Sequence, residues 1–245
     1  MAFFLRAVLL TLLAGSTLLA TREIRVEWLA RESGSLRQAV LHQRSPGILR
    51  AVKANFLLQL ADGEPDQAAR RELLEAAIAA HPRSALVWIR LGLELEQARD
   101  EEAAEKALLQ AAYLDHQLLP AWTLANFYFR QNRQEDFWKW GARAATLTYD
   151  DDRPLLQLAD RLEPDADALL RRLEAPPGLT RAYLDFLVGQ QRMGAAQHAA
   201  RFLLRFHDPA DRKRILSLAD RQLAAGHHVD AEELWNAIAN SETTR

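Results

Sequence analysis

Cysteine is absent from the 245 residues. That one absence removes disulfide frameworks, cysteine-type zinc sites, iron–sulfur clusters and thiol catalysis together. A chain without thiols suits oxidising and reducing surroundings alike. Glycine and proline are scarce, at ten and nine residues. Sandwiches, barrels and parallel sheets want more glycine turns and more β-branched residues than this. No excess of one charge exists either: 31 Lys+Arg face 33 Asp+Glu, a formal −2, which supplies no net drive toward nucleic acid or anionic lipid. Lysine is nearly missing, with four residues against 27 arginines. The arginines alternate with acids, as in Arg70-Arg71-Glu72, which reads as a solvated, ion-paired face rather than a nucleic-acid stripe. GxSxG, a glycine-rich phosphate loop and HExxH are all lacking, so no catalytic residue, cofactor or metal is expected.

What the chain has in quantity is alanine and leucine, 43 of each, a composition for helices. Its length allows one elongated domain or two compact ones. One uncharged run stands apart, Ala7 to Ala20, between MAFFLR and TREIRVE. At 1.5 Å per residue it covers about 21 Å. With Ala2 to Leu5 added and Arg6 snorkelling, it approaches a membrane span. A retained anchor over 1–21 is the expectation, because Leu18 spoils the small-residue pattern a signal peptidase wants; a cleaved signal is the competing reading. The short start with Arg6 favours a chain outside the cytoplasm. Arg22, Arg25, Arg31 and Arg37 argue the reverse, but they are interleaved with Glu23, Glu27 and Glu32.

Beyond the run, a period of 34 residues recurs. Trp88 and Trp122 share it, as do the series Ala77, Ala111, Ala145; Leu57, Leu91, Ala125; and Leu74, Leu108, Ala142. Later units keep a 32-residue spacing, with Tyr183, Ala199 and Leu203 matched by Ile215, Ala231 and Trp235. Caps mark the joints: Ser45-Pro46 and Asp208-Pro209 open helices, Ser84 and Asp100 read as N-caps, and Gly226 as a C′ residue. Glu101-Glu102 and Asp150-Asp151-Asp152 sit at helix starts, where they complement the dipole. These signals predict helix pairs over 23–43, 48–80, 84–115, 119–147, 152–174, 179–206 and 210–240. Pro176-Pro177-Gly178 is the clearest break and divides 22–175 from 176–245, as a kink in one array rather than a hinge.

The stretch from Ala85, ALVWIRLGLELEQARDEEAAEKALLQAAYLDHQL, resembles the tetratricopeptide repeat. Trp88, Leu91 and Gly92 stand in its first helix, and Ala104, Leu108 and Ala111 in its second. Gly92 and Ala104 are small where paired helices cross closely, and Ala111 where the next repeat stacks. In the following unit Trp138 takes a position usually small, which implies a wider crossing or a rotated second helix. The resemblance implies an all-α, right-handed superhelical solenoid that binds a protein partner and is not an enzyme. It also implies a concave groove lined by Asn55, Gln59, Ile89, Leu93, Gln97, Thr123, Phe127, Arg130 and Gln131. Ile89 with Leu93, and Thr123 with Phe127, are four apart and off the Trp88–Leu91–Leu95 and Trp122–Ala125–Phe129 stripes, so they read as an exposed apolar strip. Exchanging Leu93 and Phe127 together for Asp is then expected to leave the fold nearly intact and abolish capture. Only Asn55 matches the carboxylate clamp that some relatives use for chaperone tails.

Two further features attract attention. His227-His228 follows Gly226 near Asp230 and Glu232, but adjacent histidines point apart, and they read as solvated turn residues, as do His81 and His116. The aromatic cluster Trp122, Phe127, Tyr128, Phe129, Phe137, Trp138, Trp140 and Tyr149 is mostly core by expectation, with some rings left for a peptide or a glycan. An anchor followed by divergent repeats and PAWTLANFYFRQNRQEDFWKW looks like bacterial envelope tetratricopeptide proteins. That likeness implies a single-pass inner-membrane scaffold with periplasmic repeats; the alternative is an accessory factor of polysaccharide assembly or export.

Overall fold

A computed structural model describes residues 50–147 and 152–243. The expected membrane segment, the pair at 23–43, Ser45-Pro46 and Tyr149 lie outside these residues. Among the described residues there are twelve helices and no strands, and neighbouring helices pack in pairs. The pairs are α1 (Arg50–Asp62) with α2 (Gln67–Ala80), α3 (Ala85–Gln97) with α4 (Glu101–Leu114), and α5 (Leu118–Arg130) with α6 (Gln134–Leu147). They continue as α7 (Arg153–Leu162) with α8 (Ala166–Arg172), α9 (Pro177–Gly189) with α10 (Met193–Leu204), and α11 (Pro209–Ala224) with α12 (His228–Thr243). Among the described residues no helix is long and apolar enough to cross a membrane.

The described residues fall into two compact units, one ending at Asp115 and one beginning at His116. The division expected at 175/176 lies inside the second of them. There Pro176 is the N-cap of α9 and Pro177 its first residue, while Leu173 and Ala175 are buried. The Pro-Pro-Gly stretch therefore starts a helix from a packed link.

In the first unit α2 packs on α1 and α3, and α4 on α3. The 34-residue series holds here: Leu57 and Leu91, Leu74 and Leu108, and Ala77 and Ala111 are all buried. Asp66 and Asp100, also 34 apart, cap α2 and α4 by accepting from the amides of Ala69 and Ala103 at 2.8 and 3.2 Å. Gly92 has the expected reason. A Cβ there would lie 2.6 Å from Cγ and Cδ2 of Leu108 and 3.3 Å from the carbonyl of Ala104, so α3 and α4 cross closely. Ser84 takes the N-cap place without a side-chain bond, and the indole of Trp88 donates to Pro82 O at 2.9 Å across the turn.

In the second unit polar side chains tie successive pairs. Asp160 of α7 accepts from the Tyr183 hydroxyl at 2.7 Å and from Arg192 at 2.5 Å. Burial first, and then that hydrogen bond, raises the Tyr183 phenol far above its ordinary range. Arg181 of α9 donates Nε and Nη2 to both oxygens of buried Asp211 at 2.6 and 2.9 Å, and Nη2 to Asp208 at 2.6 Å. Gln197 and Arg201 of α10 both reach Glu233 of α12.

Five helices, α3, α5, α8, α9 and α11, end in one turn. The residue after the cap sits left-handed at Arg99, Asn132, Glu174, Gln191 and Gly226, with φ of 65, 55, 47, 60 and 85°. Each turn carries the same two bonds, as from Arg99 to Glu96 O and Asp100 to Leu95 O, both 3.0 Å. Gly226 holds the expected place; the other four adopt a conformation that disfavours side chains. Gly226→Ala is expected to cost about 1 kcal/mol, read as a lower urea midpoint with an unchanged slope.

These shared turns locate two slips of the repeat. His81 and Asp115 end α2 and α4 with the same amide-to-i−4 bond, 34 residues apart, yet Arg99 and Asn132 are 33 apart. The link before α5 has three residues (115–117) where the link before α3 has four (81–84). The register of α5 therefore moves by one residue, about 100° around the helix. Phe137 rather than Trp138 then corresponds to Ala104, and its ring lies 5.8 Å from Phe129 of α5. Trp138 is turned toward α8, with the Arg172 guanidinium 5.4 Å from its ring centroid. Farther on, α11 is 16 residues long where α9 is 13. Second helices there are offset by 35 residues rather than 32. Five of the six expected core residues of those pairs are buried, but Trp235 is 40% exposed and Leu234 takes the inward place.

Candidate functional site

Each unit carries a cleft at the same place in the helix-pair pattern, between the first helices of consecutive pairs. The first, about 240 Å³, is lined by Ala61 and Asp62 of α1, Arg70 and Leu74 of α2, and Arg90, Leu93, Glu94 and Gln97 of α3. Leu93 and Gln97 were expected at a partner surface, Leu93 half-buried and Gln97 exposed. Asn55 and Gln59 are exposed on α1, at helical spacing from Asp62.

The cleft's electrostatics come from residues that composition concealed. Glu94 is only 6% exposed, with Oε2 3.3 Å from Nε of Arg70. Its Oε1 has no hydrogen-bond partner among the described residues. Arg70 also donates Nη2 to Pro65 O at 3.2 Å. Arg90 stands 3.6 Å from Asp62 at the mouth. The reading of Arg70-Arg71-Glu72 as one solvated face therefore holds for Arg71, which pairs with Glu75 at 2.9 Å in solvent, and fails for Arg70. Arg70 occupies the place that Ala104 takes in the next pair, and a long side chain there can reach the following helix. That substitution was visible in the repeat alignment.

The remaining expected residues divide. Ile89 is 4% exposed and Phe127 1%, so the apolar strip proposed from sequence is not exposed. Thr123 is buried too, its hydroxyl donating to Leu119 O at 2.8 Å within α5. Arg130 is exposed and Gln131 half-buried at the C-cap of α5. The one-residue slip explains Phe127. Aligning the two tryptophans sets Phe127 opposite Leu93, whereas the helix ends set it opposite buried Glu94 and put Asn126 opposite Leu93. In the aromatic cluster Phe127, Tyr128, Phe137, Trp138 and Trp140 are buried, while Trp122 and Phe129 are half-buried. His227 and His228 are exposed, the former 3.9 Å from Asp230.

The second cleft, about 380 Å³, is lined by Leu184, Asp185 and Val188 of α9 and by Ala210, Lys213, Arg214, Ser217, Leu218 and Arg221 of α11. Arg214 holds both oxygens of Asp185 at 2.5 and 2.6 Å. None of the expected groove residues lies in this cleft. Its signal was the sparse one of Lys213 with Arg221 eight residues later on one helix face.

Compared with known proteins, the chain matches no family model and no curated protein.

Proposed function

We propose that this chain is a non-catalytic scaffold of tetratricopeptide-like helix pairs, wound as a right-handed solenoid and tethered to the bacterial inner membrane through 1–21, whose periplasmic repeats bind a protein segment. One observation carries the reading. Two clefts recur between first helices of consecutive pairs, and both combine apolar walls with charged side chains at the opening. A recurring open groove of that kind suits an extended segment, whose apolar side chains take the walls while polar groups fix its register. Leu93 and Gln97 are the members of the expected groove that also line such a cleft.

The test is co-purification from membranes with the full chain. Leu93→Asp with Gln97→Ala is expected to remove at least nine-tenths of a bound protein while the helical signal and urea midpoint stay close to wild type. Full retention of that protein by a folded double variant would refute the assignment.

A further inference from the structure

Lys213, Ser217 and Arg221 lie at i, i+4 and i+8 on α11 and line the larger cleft together. The two other charged groups that line the cleft are already accounted for, since Arg214 and Asp185 neutralise each other at 2.5 and 2.6 Å. Among the described residues neither Lys213 nor Arg221 has a hydrogen bond or an ion pair at its side chain, and both are exposed. The cleft's unsatisfied charge is therefore two cations with a hydroxyl between them, above walls supplied by Leu184, Val188 and Leu218. Eight residues of helix separate the cations by about 12 Å. An extended chain advancing about 3.3 Å per residue spans that distance in four residues.

We propose that the α9–α11 cleft binds an acidic segment of a partner protein, with two carboxylates four residues apart on Lys213 and Arg221 and apolar side chains between them on the walls. This rests on the scaffold reading and names the chemistry of one of its partners. Charge complementarity selects the occupant: a basic segment meets two unneutralised cations, and a neutral one leaves them unmatched. Ser217 offers a hydroxyl to the segment's backbone midway.

The test is fluorescence anisotropy on the full chain, with a labelled peptide carrying two glutamates that flank Leu-Ala-Leu. Saturable binding is expected, weakened at least tenfold by Lys213→Ser with Arg221→Ser and at least tenfold by glutamine in place of both glutamates. Raising salt from 50 to 500 mM is expected to weaken it severalfold, because the pairs are exposed. Lys106→Ser, on α4, is expected to change nothing. The inference is overturned if the peptide fails to bind, if the double variant or the glutamine peptide binds as well as the original, or if a single-stranded oligonucleotide displaces the label at lower concentration than unlabelled peptide. Failure here together with partner loss in the Leu93/Gln97 variant would remove this inference and leave the scaffold reading standing.

Discussion

Phe127→Asp is expected to unfold the α5–α6 pair, whereas Leu93→Asp leaves the protein folded. Phe127 is 1% exposed, so the substitution removes an aromatic side chain from the core and puts a carboxylate there without a partner. Lost packing alone costs about 3–5 kcal/mol, and the buried charge adds to it, so about 4 kcal/mol or more is expected. Leu93 stands half-buried at a cleft, where an aspartate keeps access to water and costs about 1 kcal/mol. Urea denaturation followed by far-ultraviolet circular dichroism separates the two. Equal midpoints would mean that α5 keeps the 34-residue register after all, with Phe127 facing a groove.

Leu108→Ala carries the second large effect. Leu108 is buried at the α3–α4 crossing, with Cγ and Cδ2 against the backbone of Gly92. Truncation leaves a cavity and costs about 2–5 kcal/mol. Gly92→Ala has two opposed consequences: alanine favours the helix by about 1 kcal/mol, but its Cβ would sit 2.6 Å from Leu108 and overpack the crossing by about 1–3 kcal/mol. In the wild-type background Gly92→Ala is therefore neutral to destabilising. In the Leu108→Ala background the clash with Leu108 is gone and the 3.3 Å approach to the Ala104 carbonyl remains, so the same change is expected to be about 1–3 kcal/mol less unfavourable than in the wild type. A double-mutant cycle showing additive effects would contradict the close crossing.

The helix pairs were legible because each is defined by local chemistry. Asp100, Asp208 and Gly226 announce their turns within one or two residues, and the pairs expected at 84–115, 119–147 and 179–206 appear as 85–114, 118–147 and 177–204. The close approach at Gly92 was legible for the same reason, a missing side chain at a fixed repeat position. Register was harder. One residue lost between Asp115 and Asn132, and three gained in α11, leave helix type and order untouched but turn Phe127 inward and Trp235 outward. The signals that fix register are left-handed residues at Arg99, Asn132 and Gln191, and none of the three is a glycine. The clefts were least legible. Arg70 reaches Glu94 from the preceding pair, and Arg214 reaches Asp185 from the following one. Such contacts over 24 to 29 residues depend on stacking rather than on any local pattern.

The scaffold reading is tested most directly by site-specific photo-crosslinking in intact cells. A benzoylphenylalanine is placed at Gln97, in the first cleft, or at Tyr113, which is 76% exposed on α4. The account predicts a discrete protein adduct from position 97 and none from position 113. No adduct from 97, or the same adducts from both positions, would contradict it.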